Sequence, residues 1–507
     1  MADEQGGERA PASAQEDAQG GAQEDAPRVA RRSLKRSVLF VTTEMADYVK
    51  VGGLGEVSAA LPRALAGAFD VRVLIPGYRE TLAAHPDLAI VGELPAYADI
   101  PACALARART GDGLTVYILL APSLYERDGT PYGDARGHDW PDNDLRFARL
   151  SMAAAAIALG DADPAWSADL VHANDWPGAL TPAYLRWMGK RVPSVLTVHN
   201  LAYQGLFPAA RRASLGVPES AFQMEGVEFY EKISFLKAGL FYCDHITTVS
   251  ATYAREITTA AMGCGLDGLL RRRASEGRLT GIVNGIDDTW NPALDPALAQ
   301  PFEAGDWKGK RANGEALRAD FGLAVSKGPL FAVVSRLVHQ KGIDFVIEAA
   351  DEIVRGGGQI VVIGRGEPGI ERALTQTASR HPGAVSVHVG YEERRARRAF
   401  AGADFLLMPS RFEPCGLSQM FAQTAGTLPI VHRTGGLADT VEDGVTGFQF
   451  TTLSREGLLG GVARAFSAYA SAQRLSRMRR NAMGRRFSWR RSAQDYGALY
   501  MRGVGNR

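Results

Sequence analysis

The sequence predicts an α/β protein of two doubly wound domains, each a parallel sheet covered by helices. Three observations predict it. Continuous apolar segments of strand length alternate with helical stretches, the pattern of βαβ units whose strands are buried on both faces. A polar, Pro-containing stretch at 286–310 interrupts this alternation, which then restarts with a shorter period. Glycines and polar residues collect just beyond the apolar segments, where open α/β sheets bind ligands. With 507 residues the chain is long enough for two large domains or about three ordinary ones.

Residues 1–36 contain no aromatic side chain and no β-branched run, so they are expected to be a disordered tail. The tail ends in the basic group Arg31, Arg32, Lys35 and Arg36, which reads as solvated. SVLFVTTEM (37–45) is the first buried strand, and a glycine loop and a helix over about 54–69 follow it. Further strands are expected at 71–78, 115–121, 169–175, 194–200, 245–250 and 279–285. After the polar stretch, strands are expected at 329–337, 358–366, 385–391, 403–411 and 428–436. The expected domains are 37–295 and 296–485, joined near residue 295. Residues 486–507 form a closing helix, since Trp489, Ala493, Tyr496, Leu499 and Tyr500 recur at helical spacing.

Composition removes several function classes. Lys plus Arg total 57 against 56 Asp plus Glu, and a dedicated nucleic-acid binder would be clearly basic. No apolar run reaches membrane-spanning length, and no signal peptide is legible, so the expected compartment is the cytoplasm. Cys103, Cys243, Cys264 and Cys415 lack the spacing of a zinc site or a disulfide framework. No GxSxG motif supports serine hydrolase chemistry. No Asp-x-Asp pair stands at a strand end, so no metal and no cofactor are expected.

Chemistry-bearing residues stand at the predicted strand ends. Lys50, Gly52 and Gly53 open the first helix. Such a loop is either a tight strand-to-helix turn or a cradle of N–H groups for an anion, and Lys50 favours the anion. Arg336 and Lys341 are two cations after one strand, which suits a diphosphate better than a carboxylate. Asp175 and Glu413 are carboxylates at strand ends of opposite domains, where they can stabilise the positive charge of a glycosyl-transfer transition state. Taken alone, Asp175 also reads as a cap or turn residue. His199 reads either as a hydrogen-bond donor to a sugar hydroxyl or as a structural histidine. Cys415 reads either as a reactive thiol or, preferably, as a backbone N–H at a helix start.

Together these segments resemble the bacterial glycogen/starch synthases. The resemblance runs from about Val38 to Met501 through KVGGLGEVSAALPRAL (50–65), HANDWPGAL (172–180), TVHNLAYQGLF (197–207), ISFLKAGLFYCDHITTVSATYAREI (233–257), GIVNGIDDTWNP (281–292), VVSRLVHQKGIDFV (333–346), MPSRFEPCGLSQM (408–420) and HRTGGLADTV (432–441). It implies the GT-B fold, two Rossmann-like domains facing each other across a deep cleft. It also implies retaining transfer of glucose from ADP-glucose to the non-reducing 4-OH of an α-1,4-glucan. By this resemblance Lys50, Gly52 and Gly53 meet the ADP diphosphate from the N-terminal side. Arg336 and Lys341 meet it from the C-terminal side, and Tyr391 stacks on adenine. Asp175, His199 and Asn200 surround the transferred glucose. Glu413 is the essential glutamate beside it, Cys415, Gly416, Leu417 and Ser418 hold the donor at a helix start, and Trp176 stacks on the acceptor.

The chain departs from the family pattern at five positions. Val51 and Glu56 replace the Thr and Asp of KTGGLADV, Asn174 and Pro177 replace two histidines of HAHDWH, and Ser418 stands for a frequent Thr. The departures around Asp175 fall on the acceptor shell rather than on the chemistry. Two alternatives stay open from sequence: a related GT-B transferase with another nucleotide sugar, and an inactive glucan-binding protein.

Overall fold

The structure, a computed structural model, describes residues 35–505; the expected tail lies almost wholly outside the described residues. In chain order the first lobe contains strands β1 (Ser37–Val41), β2 (Asp70–Pro76), β3 (Ala89–Leu94), β4 (Cys103–Arg109), β5 (Thr115–Leu120), β6 (Leu170–Asn174) and β7 (Ser194–Val198). It continues with β8 (Leu206–Pro208), β9 (Glu228–Phe229), β10 (Lys232–Ser234), β11 (His245–Thr248) and β12 (Leu279–Gly281). The second lobe holds β13 (Leu330–Val334), β14 (Gln359–Gly364), β15 (Val385–Val389), β16 (Phe405–Met408), β17 (Leu428–His432) and β18 (Phe448–Phe450).

The second sheet is parallel throughout, in the order β15-β14-β13-β16-β17-β18. Its central strands are buried along their whole length, which is why their sequences are unbroken apolar runs. The first sheet runs β12-β11-β7-β6-β1-β2-β5-β4-β3. It is parallel as far as β5, after which β4 and β3 pair antiparallel at one edge. These two strands escaped the sequence reading because CALARAR and AIVGEL are only half-buried and carry no continuous apolar run. A small antiparallel sheet, β8-β10-β9, and the short β18 were also not anticipated.

In the parallel part of each sheet the strand order reverses once, and that reversal makes a crevice at the carboxyl ends of two neighbouring strands. In the first lobe that crevice lies between β1 and β6, so Glu44 just after β1 lies near Asp175 after β6. In the second it lies between β13 and β16, so Lys341 meets Glu413.

The polar stretch at 286–310 is not a free linker. Trp290 stacks on Phe421 at 3.7 Å, and Arg397 binds Asp295 at 3.0 Å, so the chain is already packed on the second lobe before residue 295. The helix Trp489–Gly505 returns to the first core, where Trp489, Ala493, Tyr496, Leu499 and Tyr500 are buried. A hydrogen-bonded chain anchors it. His172 Nδ1 meets the Tyr500 hydroxyl at 2.6 Å, His172 Nε2 meets Thr197 Oγ1 at 2.6 Å, and Thr197 meets Thr247 at 2.5 Å. Among the described residues no helix is long and apolar enough to cross a membrane.

Candidate active site

In the first lobe the chain leaves β1 through Glu44, a buried carboxylate. Its Oε2 accepts the backbone N–H groups of Val51 at 2.7 Å and Gly52 at 2.9 Å, and its Oε1 accepts the Tyr132 hydroxyl at 2.7 Å. Glu44 thus takes the N–H of Gly52, which corrects the expectation that this group faces an anion. A Cβ on Gly52 or Gly53 would meet nothing within 4 Å, so the outer face of the loop is open. Lys50 Nζ is paired with Glu56, the residue that departs from the family pattern. Burial works against the Lys50 ammonium. The Glu56 hydrogen bond and charge outweigh it, with Tyr391 and Glu393 of the second lobe acting in the same direction, and its pKa stands above the usual lysine value.

Asp175 begins the helical turn after β6 with φ +52°, a left-handed conformation unusual for a non-glycine residue. The turn is paid for by Asp175 Oδ1 accepting the backbone N–H of His199 at 2.7 Å and that of Asn200 at 3.5 Å. Burial raises the Asp175 pKa to about 7; the two N–H groups oppose this, and the nearby Glu44 adds to it. Asn200 Oδ1 accepts the Ala202 N–H, which shapes the loop.

His199 is neutral at ordinary pH because burial lowers its pKa to about 3. Asn174 sets its tautomer. The Asn174 amide nitrogen donates to Val41 O at 3.0 Å, so Asn174 Oδ1 is the atom that faces His199 Nε2 at 3.0 Å. Nε2 therefore carries the proton and Nδ1 is left as an acceptor. This reverses the donor role expected of His199. It also gives Asn174, a departure from the family pattern, a definite task.

Trp176 is half-buried. Its ring lies among Phe147 at 4.7 Å, Phe207 at 6.0 Å, and Tyr132 and Phe235 at 6.4 Å. A Cβ on Gly205 would reach within 2.3 Å of it. These contacts pack the ring into the wall of the site.

In the second lobe Lys341 Nζ and Glu413 Oε2 are 2.5 Å apart, and Ser410 Oγ reaches the same oxygen at 3.1 Å. Both side chains are largely buried. Gly342 makes this approach available: it has φ +66°, and a Cβ there would lie 2.0 Å from Pro409 O. Arg336 is exposed at the rim and donates to Gln340 Oε1 at 3.3 Å. Tyr391 is 63% exposed, so its ring face is open.

The Cys415 thiol is buried, and burial pushes its pKa to about 12, so the reactive-thiol alternative fails. Cys415 packs with Val249 and Met420, with Leu417 and Val283 against them, and so joins the two lobes. Gly416 has φ +71° and turns the chain into the helix Ser418–Thr424. Ser418 Oγ donates to Val334 O at 3.2 Å, tying that helix to the end of β13. Among the described residues no cluster of His, Cys, Asp or Glu is placed to hold a metal ion.

The sequence reading missed Glu44, Tyr132 and the task of Asn174. Glu44 had one available signal, an acid at the end of an apolar strand directly before a glycine loop. Tyr132 had none, because it arrives from a long loop remote in sequence.

Comparison with known proteins agrees with this geometry. Residues 37–272 match the starch synthase catalytic domain model, and residues 318–483 match the glycosyl transferases group 1 model. Glycogen synthase 1 of Bradyrhizobium diazoefficiens is 60% identical over 90% of this chain and 99% of its own length. A glycogen synthase of Pseudomonas fluorescens is 56% identical over 92% of this chain and 89% of its own. The catalytic domain of starch synthase IV from Arabidopsis thaliana, solved with ADP and acarbose bound, superposes with a TM-score of 0.83 at 32% identity, covering 94% of this chain and all of that one. The paired switch-point crevices and these likenesses lead to one assignment: the chain belongs to the glycogen synthase family of GT-B glycosyltransferases.

Proposed function

We propose that the protein is an ADP-glucose-dependent glycogen synthase. It transfers glucose with retention of configuration to the non-reducing 4-OH of an α-1,4-glucan and releases ADP. The observation that carries this reading is the Lys341–Glu413 pair, buried at the β13/β16 crevice, with the cation Arg336 at its rim. A buried carboxylate held by a lysine suits a donor whose leaving group is anionic while its sugar carbon becomes cationic.

In this reading Arg336 and Lys341 neutralise the diphosphate as the anomeric C–O bond breaks. Glu413 orients the sugar and stabilises the cationic ring. Lys50 meets the diphosphate from the first lobe after exchanging its Glu56 partner for the donor. The open faces of Gly52 and Gly53 leave room for that approach. Tyr391 stacks on adenine, and the chain at Cys415, Gly416, Leu417 and Ser418 borders the donor. The acceptor 4-oxygen bonds to the anomeric carbon on the face the diphosphate leaves, and its proton passes to the departing phosphate oxygen. Asp175, Asn200 and the acceptor atom His199 Nδ1 border the transferred glucose. Closure of the lobes excludes water that would hydrolyse the donor.

The reading is tested by ADP release from ADP-glucose, with and without glycogen, in EDTA, with UDP-glucose in parallel. Glycogen-dependent release that survives EDTA is expected. Release from UDP-glucose alone would overturn the donor, and glycogen binding without release from either donor would make the protein a glucan binder.

A further inference from the structure

The helix Gly435–Thr440, which follows β17, is seated from the opposite lobe. Its N-cap residue Thr434 makes no capping bond of its own. Instead the Thr434 hydroxyl donates to Glu256 Oε1 at 3.0 Å. The Gly435 N–H donates to both oxygens of Glu256, at 3.0 and 3.1 Å. Glu256 ends the helix Ala251–Glu256, which follows β11 in the first lobe. The carboxylate thus does what an N-cap side chain does, and also places negative charge at a helix N-terminus.

The next peptide carries the contact to the active site. The Gly436 N–H donates to Glu413 O at 3.0 Å and to Pro414 O at 3.1 Å. A Cβ on Gly435 would lie 2.0 Å from Glu413 O, and one on Gly436 would lie 2.0 Å from Cys415 O. The helix start is therefore pressed against the backbone of Glu413 with no side chain between. Two neighbouring contacts cross the same boundary. Thr252 donates through its N–H and its hydroxyl to Asp439, at 2.9 and 2.6 Å, and Ser250 Oγ donates to Pro414 O at 2.6 Å.

We infer that Glu256 is a positioning residue for the transfer reaction. By seating the start of the helix Gly435–Thr440 it fixes the backbone of Glu413, so the Lys341–Glu413 pair is aligned by the engagement of the two lobes. This rests on the reading of Glu413 as the glutamate beside the donor. The neighbouring Thr252–Asp439 contact joins the same two helices but acts one turn away from Gly435 and Gly436, and so serves as the control.

Three variants test it: Glu256→Ala, Glu256→Gln and Asp439→Ala. A displacement of the order of 1 Å at a reacting group costs about 10²-fold in rate. Glu256→Ala is therefore expected to lower kcat by roughly 10- to 100-fold, with KM for ADP-glucose within about threefold of wild type, because Glu256 does not touch the donor. Glu256→Gln keeps an oxygen acceptor for the Gly435 N–H and is expected to restore most of kcat. Asp439→Ala is expected to keep kcat within about threefold of wild type. Hydrogen exchange read on the peptides spanning 413–417 and 434–437 is expected to quicken in Glu256→Ala and not in Asp439→Ala. Wild-type kcat in Glu256→Ala overturns the proposal, as does equal loss in Asp439→Ala, or unchanged exchange at both segments. If the wild-type protein itself releases no ADP, the proposed function fails, and exchange alone still decides whether Glu256 seats the Glu413 backbone.

Discussion

The Lys341–Glu413 pair has two separable consequences, one for stability and one for rate. The side chains are 16% and 7% exposed, and the charged atoms are 2.5 Å apart. Removing one partner of such a pair strands the other in a poorly solvated site, typically at a cost of about 3–5 kcal/mol, whereas removing both is close to neutral. In Lys341→Met the stranded carboxylate keeps the Ser410 hydroxyl, 3.1 Å away, which places the expected loss near the lower limit, about 3 kcal/mol. For a lobe of this size that is a fall of roughly 6–12 °C in Tm. Glu413→Gln keeps an oxygen for Lys341 and is expected to lose less. The double variant Lys341→Met/Glu413→Gln is expected to recover most of the stability of Lys341→Met. Activity behaves differently. Each single variant loses a group that acts on developing charge and is expected to lose on the order of 10²-fold or more in kcat, and the double variant recovers none of it. Differential scanning calorimetry and ADP-release kinetics on the three proteins measure both. A double variant as unstable as Lys341→Met, or near wild-type kcat in both single variants, would refute the reasoning.

Other predictions follow from the first lobe. Burial raises Asp175 to about 7, above its unfolded value of about 3.9, so its stabilising contribution is complete below pH ~4 and is lost as pH rises through 7. His199 is lowered to about 3, so its contribution is complete above pH ~6.5 and is lost as pH falls toward 3. The two slopes oppose each other in between, and the Tm advantage of Asp175→Asn over wild type should grow from pH 4 to pH 7 and then level off; a constant difference across that range would contradict the assignment. Asn174→Ala releases the His199 ring and should lower kcat by about tenfold, the equivalent of one lost hydrogen bond; unchanged kcat would show that the tautomer does not matter. Tyr500→Phe leaves His172 Nδ1 without its partner and should cost about 1–3 kcal/mol, seen as a lower Tm with kcat at 25 °C unchanged. Tyr391→Ala should raise KM for ADP-glucose by about tenfold or more, as loss of one base stack does, with a smaller effect on kcat.

Much of the site was legible because a parallel sheet places its ligand-facing residues directly after apolar strands. Lys50, Asp175, His199, Lys341 and Glu413 all stand at such positions, and the resemblance attached roles to them. What the linear pattern could not carry was competition for the same atoms. Gly52 was expected to offer its N–H outward, but Glu44 takes it. Trp176 stands next to Asp175 in sequence, yet aromatic rings drawn from other segments pack against it. Asn174 read as a loss relative to the family pattern, and only its two partners in space, Val41 and His199, show what it does.

By itself the sequence determined the α/β class, the two sheets and the strand ends that carry chemistry. These depend on local hydrophobic runs and on the breaks between them, which are properties of neighbouring residues. The tertiary structure alone decided the antiparallel edge of the first sheet, the tautomer of His199, the Cys415 thiol's burial between lobes and the Glu256 contact with Gly435. Each of these depends on groups far apart in the chain that compete for one donor, one acceptor or one volume, and such competition is settled only when the chain has folded.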